Sequence, residues 1–183
     1  MSFRFPYLAL DVETTGVNTE KVHVLQLAAI YDNGAPVGEL PTFNEVIAWK
    51  EITYGEEYAM NLNRRLIERA EMGNNVVSVE EAREKFSKWL DIVQPVGKIT
   101  PAGKNAAGFD LPILSNKTNG FVFRRFLRRV LDPGSMYTEY FDHIPNQDEI
   151  NKLIGRGVVS HDALQDCYDV VYAVRYKWSA LDI

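Results

Sequence analysis

A single cysteine, Cys167, stands among 183 residues, so no internal disulfide can form and nothing calls for an oxidising compartment. Long hydrophobic runs are missing too. The longest apolar stretch near the N-terminus, Tyr7–Leu10, falls far short of the ~20 residues that cross a bilayer or the core of a signal peptide. A cytoplasmic protein with no membrane contact is expected. There is no internal repeat, low-complexity tract or linker, and the expectation is one domain over residues 1–183. An excess of basic charge is also absent: 20 Lys and Arg stand against 25 Asp and Glu, a net charge of −5. That argues against binding nucleic acid through a broadly basic surface, because such affinity comes mainly from Lys and Arg on phosphates. It leaves room for an enzyme whose acidic site holds cations.

Hydrophobic residues at 46% and charged residues at 25% describe an ordinary globular chain with enough apolar mass for a core. Residues 5–12 read as a short apolar strand ending in a turn at Thr14-Thr15-Gly16. Lys21–Asp32 and Pro36–Trp49 read as two more strands around the hairpin signal Asn33-Gly34. Asn61–Glu71 is helical, stopping near Gly73. A second helix starts at Ser78, with Glu81 completing a capping box, and runs to about Val93. Lys98–Ala102 suits a strand, Phe109–Leu114 a helix, Phe121–Leu127 a basic helical piece, and Arg129–Leu131 a strand stopped by Asp132-Pro133-Gly134. Two closing helices cover Gln147–Ile154 and Asp162–Trp178. In the last, Ala163, Cys167, Val170, Val171 and Val174 make an apolar stripe. The class is mixed α/β.

Three features carry chemistry. Asp11 and Glu13 lie two apart on a strand and so project from one face. Two adjacent carboxylates repel unless a proton or cation intervenes, and such oxygen-rich pairs suit Mg²⁺ or Mn²⁺. A strand ending in two solvated acids is the plainer alternative. Asp110 opens a helix after Asn105-Ala-Ala-Gly-Phe109, where an acid can equally be a first-turn residue complementing the dipole. His161 and Asp166 flank the start of the last helix. They are about 140° apart on an ideal helix, so both can serve one site only if His161 sits in the preceding loop, which Gly155-Arg156-Gly157 permits. The His161-Asp162 pair also suits all-helical metal phosphohydrolases, but those need more His ligands than His23 and His143 can supply. Metal phosphatases with an Asp-x-Asp start would want Asp in place of Glu13.

Taken together and in order, these motifs resemble the DEDDh (DnaQ-like) 3′–5′ exonuclease family of the ribonuclease H-like fold. Asp11-Val-Glu13-Thr14-Thr15-Gly16 matches the first motif, Asn105 through Phe109-Asp110 the second, and His161-Asp-Ala-Leu-Gln-Asp166 the third, over about residues 7–175. The family's second strand commonly carries an acid where Gln26 stands here, and Tyr58–Asn63 is only a loose match to its substrate-contacting segment. The resemblance implies a central mixed five-stranded sheet flanked by helices. It implies two Mg²⁺ or Mn²⁺ ions held by Asp11, Glu13, Asp110 and Asp166, with His161 as general base. It further implies that Thr14, Thr15 and Gly16 place backbone groups near the terminal 3′ hydroxyl and that Met60 and Asn61 either touch the terminal base or serve packing. Asn105 and Phe109 would support the second motif. The implied reaction releases nucleoside 5′-monophosphates from the 3′ end of single-stranded DNA. RNA 3′-end trimming by an exoribonuclease is one alternative and an inactive end-binding module another, and a polymerase or replication partner is left open. The cluster Arg124, Arg125, Arg128 and Arg129 either tracks a phosphate backbone or is a solvated face.

Overall fold

The computed structural model describes residues 3–117 and 125–180. Its centre is a sheet of β1 (Tyr7–Thr14), β2 (Val24–Asp32), β3 (Thr42–Val46) and β4 (Pro101–Ala102) in the order β3-β2-β1-β4. β1 pairs antiparallel with β2, and β2 with β3, whereas β4 runs parallel to β1. The helices are α1 (Glu57–Leu62), α2 (Arg64–Glu71), α3 (Val79–Val93), α4 (Asp110–Lys117), α5 (Pro133–Met136), α6 (Gln147–Leu153) and α7 (Ala163–Ala180).

The expected fifth strand is the main difference. Among the described residues the sheet has four strands, and Arg129–Leu131 contributes only a parallel bridge from Leu131 to Ala102. Leu131 N–H donates to Pro101 O, but Asp132 then accepts from Gly134 N–H and caps α5, so the chain turns away before a ladder can extend. In the expected basic helix, residues 121–124 lie outside the described residues. Phe126 instead bridges Ile99, with Leu127 N–H donating to Ile99 O at 2.8 Å. Pro36–Trp49 is strand only at Thr42–Val46, because Pro36 starts a short 3-10 turn at Val37–Glu39. Residues 61–71 are two helices broken at Asn63 rather than one.

β1 is buried on both faces, and its alternation decides what each face meets. Leu8, Leu10 and Val12 join Leu27, Ala29, Phe86 and Leu90 in one core, on the side of α3 and α4. Tyr7 and Ala9 join Ala28, Ile30, Cys167, Val171 and Val174 in a second core beneath α7. The stripe read from the sequence is therefore the face of α7 laid on the sheet. Polar contacts fix its far end: Arg175 pairs with buried Asp32 through bonds of 2.7 and 2.6 Å, and Trp178 stands edge-on to Tyr7. Among the described residues no helix is long and apolar enough to cross a membrane.

Candidate active site

Continuing the period of Tyr7 and Ala9, Asp11 and Glu13 point to the α7 side of the sheet, at the point where β1 emerges from beneath the first turn of that helix. The apolar row thus becomes an acidic one at the mouth of the sheet, and Asp166 reaches it from α7. A cleft of about 480 Å³ opens there, lined by Asp11, Glu13, His161 and Asp166. One ligand atom each from Glu13, His161 and Asp166 lies within 4.8 Å of the others.

Asp110 sits behind this trio, 3% exposed, and accepts a hydrogen bond from Val12 N–H at 3.0 Å. That bond ties the second motif to the first across β1. The turn that delivers it needs Asn105 at φ +53°, with Phe109 N–H donating back to Asn105 O at 3.0 Å. Gly108 lets the Asn105 side chain lie close, since a Cβ there would sit 2.6 Å from Asn105 Oδ1 and push that side chain aside. Phe109 packs against the α3-side core. Asn105 and Phe109 thus build the second motif from behind the cleft.

His161 lies in the loop before α7, with φ +54°, a left-handed conformation that His tolerates better than most residues. This removes the 140° mismatch of the ideal helix and turns the ring toward Asp166. Its imidazole makes no hydrogen bond among the described residues. Neighbouring groups fix the loop instead. Asp162 caps α7 by accepting from Gln165 N–H, Ser160 Oγ donates to Asp166 Oδ1 at 3.3 Å, and Val159 N–H donates to Asp148 Oδ1 at 2.7 Å. Arg156 donates twice to Asp169 Oδ1, at 2.9 and 2.7 Å, and its guanidinium covers the ring of Tyr172.

Burial and mutual repulsion raise all four acids above the ordinary carboxyl range. Burial and then the neighbouring charges of Asp110 and Glu13 push Asp11 well up. Burial lifts Asp110 to about 7, against the pull of its backbone hydrogen bonds. Burial also raises Glu13, while Asn63 and His161 oppose the rise. Asp166 is raised to about 6, by burial first and then by the charges of Glu13 and Asp169. Oxygen donors with one imidazole, crowded until they resist ionisation, are a donor set that fits a hard divalent cation. Burial likewise pushes the Cys167 thiol up, and its Sγ donates to Ala28 O, so it is packed and unreactive.

The other expected contact residues are not among those that line the cleft. Thr14 Oγ1 donates to Gly16 O, Thr15 Oγ1 accepts from His23 N–H, and Gly16 lies against the Glu56 side chain. Their side chains therefore serve the turn itself. Met60 folds over Gly55, and Asn61 is exposed; neither lines the cleft. Tyr58, 77% exposed, lines it from α1, and Lys104, next to Asn105, brings a positive charge. Tyr58 opens the stretch that only loosely matches the family's substrate-contacting segment, and Lys104 directly precedes the second motif; neither is among the candidate contact residues of the motifs. Arg125 is paired with Asp91, Arg128 and Arg129 are exposed away from the cleft, and Arg124 lies outside the described residues. His143 binds Asp142 and Glu149, and His23 binds Thr53, both apart from this site.

A family model for exonucleases of the RNase T group matches residues 8–174. No curated protein matches the sequence. Among solved structures, E. coli exonuclease I in complex with a 5cy-dT13 oligonucleotide aligns at TM-score 0.74 and 14% identity, over 94% of this chain and 40% of that one. Exonuclease I of Methylocaldum szegediense aligns at 0.70 and 16%, over 97% and 42%. Cell-death related nuclease 4 aligns at 0.68 and 14%, over 96% and 64%. The chain thus spans about two-fifths of either exonuclease I and under two-thirds of the third protein. The likeness establishes a ribonuclease H-like fold.

Proposed function

The chain belongs to the exonuclease family, in its DEDDh (DnaQ-like) branch, and from that premise we propose that it hydrolyses single-stranded nucleic acid from the 3′ end in a metal-dependent reaction. The observation that carries this reading is the convergence of Glu13, His161 and Asp166 within 4.8 Å on the wall of an open cleft that Asp11 also lines. Asp11, Glu13, Asp110 and Asp166 would hold two Mg²⁺ or Mn²⁺ ions. When bound, such ions compensate charge on the non-bridging phosphate oxygens and favour ionisation of an attacking water. His161, its ring free of hydrogen bonds among the described residues, takes the proton from that water. An imidazole suits this at neutral pH because its ordinary pKa is near 6.5. Water attacks the terminal phosphorus, the bond to the preceding 3′ oxygen breaks, and a nucleoside 5′-monophosphate leaves. Lys104 and the exposed ring of Tyr58 supply a cation and a stacking surface on the walls.

DNA is the favoured substrate, by analogy with exonuclease I solved with a dT13 oligonucleotide. The test is incubation with 5′-labelled single-stranded DNA and RNA of one sequence in Mg²⁺, Mn²⁺ or EDTA. A ladder shortening from the 3′ end only with metal supports the proposal, and the faster substrate identifies the natural class. Binding of both without cleavage would replace the enzyme by an end-binding module.

A further inference from the structure

We propose that Gln26 is a positioning residue that sets the first turn of α7, and with it His161 and Asp166, against Glu13. The inference rests on the reading of these three residues as the reacting site. Gln26 is the polar end of the β2 row whose next members, Ala28 and Ile30, lie beneath α7, and its antiparallel partner on β1 is Glu13. It is 1% exposed. Its carboxamide makes three bonds to two different elements. Nε2 donates to Asn44 Oδ1 on β3 at 2.9 Å and to Asp162 Oδ2 at 3.2 Å, while Oε1 accepts from Ala163 N–H at 3.2 Å.

That pattern requires an amide. Asp162 turns its other oxygen to Gln165 N–H, so the residue that caps α7 is the one Gln26 grips from below. His161 is adjacent to this grip and Asp166 lies one turn beyond it, with Asp166 N–H donating to Asp162 O at 2.9 Å. A hydrocarbon at position 26 would leave Ala163 N–H and an oxygen of Asp162 without their partner. A carboxylate would keep the bond from Ala163 N–H but face Asp162 with like charge. Either change lets the start of α7 shift away from Glu13. Gln26 does not itself line the cleft, and its side-chain bonds run to the start of α7 at Asp162 and Ala163.

The test is a charge swap measured two ways: Mn²⁺ binding by calorimetry, and kcat and KM on 5′-labelled single-stranded DNA. Q26E should lower kcat by about 10-fold or more and weaken Mn²⁺ binding by a similar factor, with KM little changed, as expected when a part-buried charge-assisted contact is replaced by like-charge repulsion. D162N alone should also lose activity, since its amide would meet the donating Nε2 of Gln26. The double variant Q26E/D162N pairs the new amide with the new carboxylate and keeps the helix cap, because Asn caps as well as Asp. It should recover to within about 3-fold of wild type and exceed both single variants. A merely structural contribution of Gln26 would leave the double variant no better than the worse single one, and that result overturns the proposal. Unchanged kcat and Mn²⁺ affinity in a folded Q26E also overturns it. A wild type that binds Mn²⁺ without cleaving defeats the exonuclease reading alone, and the Mn²⁺ titrations of the variants then decide the positioning. A wild type that neither binds nor cleaves defeats both.

Discussion

The two halves of the site are held in place by different physics. Asp11, Glu13 and Asp110 belong to the strand half: two ride on β1, buried on both faces, and the third is bonded to Val12 N–H. Their positions follow from sheet pairing and core packing, which no single contact controls. His161 and Asp166 belong to the loop half. There the ring-bearing residue sits at positive φ, and the loop is held by a few named polar bonds from Arg156, Asp148, Ser160 and Gln26. The strand half should tolerate chemical change without moving, and the loop half should move when a distant tether is cut.

The largest effect is expected from Asp11→Asn. It removes a ligand-type carboxylate without altering side-chain volume, so turnover in the label-release assay should be lost. The melting temperature in EDTA should rise, because a charge repelled by Asp110, Glu13 and Asp166 has gone. Wild-type activity in this variant would break the assignment of the strand half.

His161→Ala should slow turnover by ~10²–10⁴-fold, the usual loss for a general base. His161→Gly should slow it equally yet leave the protein about 1 kcal/mol more stable than His161→Ala, since Gly alone occupies φ +54° without strain. Equal unfolding midpoints for the two variants would show that the loop is not strained at this residue.

Arg156→Ala tests the tether directly. Asp169 is buried and, among the described residues, would keep Asn151 as its one side-chain partner, at 2.7 Å. Removing one member of such a pair costs ~3 kcal/mol in denaturant unfolding. The loop half predicts a loss of kcat as well, because Arg156 anchors the segment that presents His161. A destabilised variant with full kcat would show that the remaining tethers suffice.

How much of this could be read from the sequence divides along the same line. Asp11, Glu13 and Asp110 were legible because strand period and helix start are local rules, and the structure puts them where those rules point. The need for His161 to leave the helix was legible from the angular mismatch with Asp166, but not the left-handed backbone that achieves it. Gln26 looked like a departure from a family pattern, and its role depends on Asp162 and Ala163, far away in the chain. The break at Asn63 leaves no local signal for a similar reason: its side chain donates to Thr14 O at 3.0 Å, a tertiary contact that outweighs helical continuity. The fifth strand failed because Asp132 caps a helix immediately after Leu131, and a cap competes with a ladder for the same backbone groups.

The smallest expected effect is a difference between the two halves in pH dependence. In metal-free protein, a carboxyl whose pKa lies above its unfolded value binds its proton more tightly folded than unfolded. Its contribution therefore favours the native state at low pH and fades as pH rises through the raised value. For Asp110 the window runs from the ordinary 3.8 to about 7, and for Asp166 from 3.8 to about 6. The melting temperature in EDTA should accordingly fall from pH 5 to pH 8, and saturating Mn²⁺ should reduce that fall by compensating the ionised acids. Asp110 is almost wholly enclosed, whereas the charge of His161 and the Ser160 hydroxyl ease the ionisation of Asp166. Asp110→Asn should therefore flatten the metal-free profile more than Asp166→Asn does, and should flatten it up to higher pH. Equal flattening by the two variants would mean that the loop half is as enclosed in solution as the strand half, and the contrast drawn between them would fail.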